Sequence, residues 1–79
     1  MKIKIQLFGL LGRKLPEFDS ADGVQIELPD ESTAGDLLKY LKIPEARGAA
    51  VAMDSRILKS GDLIRDGAEI RIFQAVHGG

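Results

Sequence analysis

The chain has 79 residues, a formal net charge of −1, 44% hydrophobic residues and no cysteine. A domain this small buries only roughly 60% of the surface its unfolded chain exposes, so its core is modest and must hold by packing alone. The missing cysteines exclude disulfides, thiolate metal sites and a cysteine nucleophile, and the near-neutral charge offers no basic stripe for nucleic acid.

KIKIQLF (Lys2 to Phe8) alternates polar and apolar residues, the period of a half-buried strand. Ile3, Ile5 and Leu7 are expected to face the core, with Lys2, Lys4, Gln6 and Phe8 outside. GLLGRKLPEFDSADG then reads as a long connection with one helical turn, and VQIEL (Val24 to Leu28) as a second strand with Val24, Ile26 and Leu28 inward. STAGDLLKYLKIP is the clear helix, because Ala34, Leu37, Leu38 and Leu41 fall on one face. Thr33 is placed to cap it, Asp36 completes a capping box, and Pro44 is expected to end it. AAVAM (Ala49 to Met53) reads as a short buried strand and RIL as a brief one, set among turn signals at Asp54-Ser55, Ser60-Gly61-Asp62 and Asp66-Gly67. EIRIFQAV (Glu69 to Val76) closes the series, with Ile70 and Ile72 inward and Arg71, Phe73 and Ala75 outward.

Two strands, a helix, short strands and a closing strand form an α+β pattern. With the last strand parallel to the first, the arrangement is a β-grasp: a mixed sheet over one main helix. The expectation is a single such domain over residues 1–79 with a C-terminal tail over 76–79. No apolar run reaches the ~20 residues needed to span a bilayer. The opening segment lacks the features of a secretory signal. The cytoplasm is therefore the expected compartment, with neither nucleic acid nor membrane as a partner.

Machinery for catalysis is sparse. His77 is the single histidine, close to the last residue, where little can fix its ring. No phosphate loop, dinucleotide fingerprint, nucleophile elbow or metal-ligand spacing is visible. The last residues, AVHGG, hold more promise. From Val76 to Gly79 an extended chain reaches about 13 Å. Gly78 and Gly79 make it slender enough for a channel that rejects side chains, and Gly79 offers an α-carboxylate. A carboxylate is a poor electrophile, so a partner must activate it. Phe8 and Phe73 fall outward on strands expected to be neighbours, and Ile57 is placed to join them in an apolar docking patch.

With this strand order, the helix STAGDLLKYL, the segment RDGAEIRIF and the terminal GG, the whole chain resembles the ubiquitin-like sulfur carriers. These are the small subunit of molybdopterin synthase and the sulfur carrier of the thiamine pathway. The resemblance implies that an E1-like adenylyltransferase uses ATP and Mg²⁺ to adenylate the Gly79 carboxylate. Sulfur from a persulfide donor, such as a cysteine desulfurase, then displaces AMP to leave a thiocarboxylate. An acceptor enzyme, the molybdopterin synthase large subunit or thiazole synthase, receives the sulfur. On this basis Gly79 carries the sulfur, Gly78 provides clearance, and Val76 and His77 line the entry to the partner. Phe8, Ile57 and Phe73 match the patch that meets the activating enzyme, and the carrier itself binds no cofactor or metal. The long connection from Gly9 to Gly23 favours the molybdopterin (or tungstopterin) carrier over the thiamine one. Two positions depart from the family pattern: LLGRKL replaces the usual arginine–glutamate pair, and His77 stands where a small residue is more common. Two other roles fit the same residues: a ubiquitin-like modifier joined to proteins through Gly79, and a passive interaction module.

Overall fold

The alternating segment at the start becomes strand β1 (Lys2–Phe8), with Ile3, Ile5 and Leu7 buried and Phe8 outside. A computed structural model describes residues 1–9, 11–44 and 48–74. After β1 come one turn of helix, α1 (Leu11–Lys14), and a 3₁₀ turn (Pro16–Phe18), which together fill the long connection. Strand β2 (Val24–Glu27) pairs antiparallel with β1, matching Ile3 to Ile26. Helix α2 (Ala34–Tyr40) is followed by β3 (Ala49–Met53), β4 (Arg56–Leu58) and β5 (Glu69–Gln74).

The strands described form one five-stranded sheet in the order β2-β1-β5-β3-β4. β5 lies parallel to β1 and antiparallel to β3, so the last strand occupies the centre. A turn at Asp66-Gly67 sets this pairing. Gly67, at φ 80°, donates its N–H to Lys2 O at 2.7 Å, and the Asp66 carboxylate accepts from Lys2 N at 2.9 Å. Only glycine adopts that backbone angle without cost. The expected β-grasp is the fold observed: a mixed sheet with one main helix.

Helix α2 begins as expected. Thr33 Oγ1 accepts from Asp36 N, and Asp36 Oδ2 accepts from Thr33 N, a complete capping box. Two more donors of its first turn find carbonyls in the turn after β4: Ala34 N bonds to Asp62 O and Gly35 N to Ser60 O. The far end differs from expectation. The helix stops at Tyr40, well before Pro44, because Lys42 turns left-handed at φ 60°. Lys42 N then bonds to Lys39 O and Ile43 N to Leu38 O, which closes the terminus without proline.

The core is a single cluster of the inward residues of β1, β2, β3 and β5 with Leu37, Leu38 and Leu41 of the helix segment. Val24 and the alanines of β3 are only partly buried, so β3 is less enclosed than its apolar sequence suggests. The β3–β4 hairpin turns through Asp54 and Ser55, at φ 52° and 64°, the pair of left-handed residues that a two-residue hairpin loop needs.

Candidate functional site

Parallel pairing of β1 and β5 places their carboxyl ends side by side, and the register sets Phe8 opposite Phe73. The two rings stack with centroids 5.0 Å apart and planes 17° from parallel. They remain 39% and 38% exposed on the sheet face turned away from the core. Across the sheet, Ala50 lies opposite Phe73, and Ala52 lies opposite both Arg71 and Ile57. Ile57, 61% exposed, therefore shares the face with the rings. It stands two strands away, roughly 10 Å at the usual strand spacing. The result is a shallow mixed surface, with the aromatic pair at one side, Ile57 at the other, and Ala50, Ala52 and the exposed Arg71 between them.

Among the residues proposed from sequence, Phe8 and Phe73 are thus brought into contact, and Ile57 shares their face without joining the ring pair. Ala75, Val76, His77, Gly78 and Gly79 lie outside the described residues. Phe73 is the penultimate residue of β5, so the aromatic pair marks the strand end from which the chain continues towards Gly79. Sequence reasoning overlooked Gln74. It follows Ile70 and Ile72 on the inward side of β5, and its Oε1 is buried with no hydrogen-bond partner. A polar residue at an inward position of an alternating strand was the available signal.

Among the described residues, no group of histidines and carboxylates is arranged to hold a metal ion. No helix there is long and apolar enough to cross a membrane. The Asp36 carboxyl, held below its ordinary value chiefly by the Thr33 backbone N–H, belongs to the helix cap and not to this surface.

The sequence pattern of the ThiS family matches residues 5–79 and so runs through both terminal glycines. The chain belongs to the ThiS family. Its members are ubiquitin-like sulfur carriers, and the fold agrees with that assignment. SAMP1 from Haloferax volcanii superposes with a TM-score of 0.72 at 19% identity, with both chains covered in full (100% each). A putative molybdopterin converting factor, subunit 1, from Pyrococcus furiosus gives 0.71 at 22% identity, covering 96% of this chain and 99% of the other. A ubiquitin from Caldiarchaeum subterraneum gives 0.61 at 19%, covering 100% and 98%. At these identities the structural likeness speaks for the fold. No curated protein matches the chain in sequence.

Proposed function

We propose that this ThiS-family protein carries sulfur on the C-terminal carboxylate of Gly79, as the small subunit of a molybdopterin synthase. The observation that supports the reading is the family match, whose span reaches Gly78 and Gly79. In the first step a Gly79 carboxylate oxygen attacks the α-phosphorus of ATP on an E1-like enzyme, and pyrophosphate leaves with Mg²⁺. A persulfide sulfur from a donor such as a cysteine desulfurase then attacks the acyl carbon and expels AMP. A second thiol cleaves the resulting S–S bond, freeing the thiocarboxylate and leaving a disulfide. With no cysteine in the carrier, every thiol in this sequence belongs to its partners. The stacked Phe8 and Phe73, with Ile57, form the surface that docks on the activating enzyme. Val76 and His77 line the entry, and Gly78 keeps the approach narrow. The large subunit then takes the sulfur, in the cytoplasm where ATP is at hand. The long connection between β1 and β2 favours this acceptor over thiazole synthase.

The test is intact-mass measurement after incubation with an E1-like adenylyltransferase, ATP, Mg²⁺ and a sulfur source. A gain equal to one oxygen-to-sulfur exchange, mapped to Gly79, is expected; an unchanged mass with competent activators overturns the reading. A second reading, protein modification through Gly79, is favoured by the fold shared with a structure described as small archaeal modifier protein 1. It predicts slower-migrating adducts in cell extracts that vanish when Gly78 and Gly79 are deleted.

A further inference from the structure

On the opposite side of the sheet from the phenylalanine pair, a groove of about 290 Å³ lies beside the last described residue of β5. Leu11, Leu15 and Ile43 line it, Lys14 and Lys42 flank it, and Gln74 reaches in from the strand. The chain holds 12 acidic residues against 11 lysines and arginines, yet none of the acids described lines this groove. Neither lysine has a carboxylate partner among the described residues, whose ion pairs are Met1 with Asp30 and Arg65 with Asp54. Gln74 Oε1 is buried and unpartnered. Turning the amide over would bury its Nε2 in the same place instead. Buried amide atoms are nearly always hydrogen-bonded, so this end of β5 gains a hydrogen bond if the Gln74 side chain turns out to a donor, which the described residues do not supply. Local charge, apolar lining and an unsatisfied acceptor thus coincide at the root of the segment that leads to Gly79.

We propose that this groove is a second hold for the adenylating enzyme. A segment of that enzyme lies over Leu11, Leu15 and Ile43, sets carboxylates against Lys14 and Lys42, and, with the Gln74 side chain turned out into the groove, donates a backbone N–H to its Oε1. The inference rests on the sulfur-carrier reading. An enzyme that draws in residues 75–79 reaches their root, and there it meets the aromatic pair on one face and this groove on the other. The charges serve encounter and register, and the amide acceptor fixes one strand of the partner in place.

ATP–pyrophosphate exchange by the E1-like adenylyltransferase encoded in the same genome tests this, with the full-length carrier as varied substrate. The double variant Lys14→Glu with Lys42→Glu is expected to raise KM about tenfold or more with kcat unchanged. Added salt should raise KM for the unsubstituted chain more than for that variant. Replacing both lysines by arginine should restore KM. Gln74→Leu should raise KM several-fold without lowering Tm, since it removes an unpartnered buried oxygen. Exchange with an unchanged KM in the double glutamate variant, or a change in kcat alone, overturns the groove while leaving the carrier reading intact. If the unsubstituted chain supports no exchange, the carrier reading falls and the groove with it. A dimer of the unsubstituted chain in sedimentation, lost in the glutamate variant, would assign the groove to a second copy and overturn the proposal.

Discussion

Gly23 stands just before β2 at φ 85°, and a Cβ there would come within 2.7 Å of Lys4 Cγ and 3.2 Å of Ile5 O. The lysine can swing aside, but the backbone oxygen cannot, and the left-handed angle costs any other residue about 1–2 kcal/mol. Gly23→Ala is therefore expected to lower stability by at least about that much, read as a drop in denaturant midpoint at unchanged slope. The same scale shows what one residue reveals in a sequence. Phe8 broke the polar rhythm of its strand and so announced an exposed ring. Gln74 broke the apolar rhythm on the other side of β5, but a glutamine is common enough that only the buried, unpaired oxygen gives it weight.

Helix α2 shows how an element's two ends differ in legibility. Its start is written in side chains: Thr33 and Asp36 at capping spacing, confirmed by reciprocal hydrogen bonds. Thr33→Ala should cost about 1 kcal/mol in chemical unfolding. Hydrogen bonds from the Thr33 backbone N–H, and then from its side chain, hold the Asp36 carboxyl below its ordinary value of 3.8, with Lys39 adding a smaller pull. The folded state thus favours the charged form. This contribution is complete above pH 3.8 and is lost as pH falls through that value towards the lowered native one. Asp36→Asn should accordingly flatten the fall of stability with acidification below pH 3.8, measured by urea midpoints across pH. The helix end is written in a backbone angle, and a lysine at the left-handed position carries no sequence signal of it; glycine there would have. Lys42→Gly is expected to stabilise the fold by about 1 kcal/mol in thermal or chemical unfolding.

At the scale of the whole molecule, the sheet and its faces were legible because period-two alternation survives in β1, β2 and β5, where one side is core and the other solvent. The partial burial of β3 was not legible, since a run of alanines is apolar whichever way it faces. Of the candidate site, sequence alone placed Phe8 beside Phe73, and the register bears that out. It could not measure the gap that β3 leaves between that pair and Ile57. Because Phe73 points away from the core, Phe73→Asp should leave the cooperative transition in place, losing about 1 kcal/mol of ring stacking. Its binding to the activating enzyme, measured by calorimetry, should weaken about tenfold or more. Global unfolding of this variant would mean that the aromatic face supports the core.

The position of β5 has a consequence for biosynthesis. It lies between β1 and β3, so until it is in place the β1–β2 hairpin and the β3–β4 hairpin share no strand partner. β5 occupies residues 69–74, so the five-stranded sheet cannot assemble until those residues have been synthesised. A ribosome that stalls before Glu69 releases two unjoined hairpins, which are poor structures in water and ready prey for proteases. Chains that survive to be handled by other enzymes are thereby enriched for those that have been synthesised through β5.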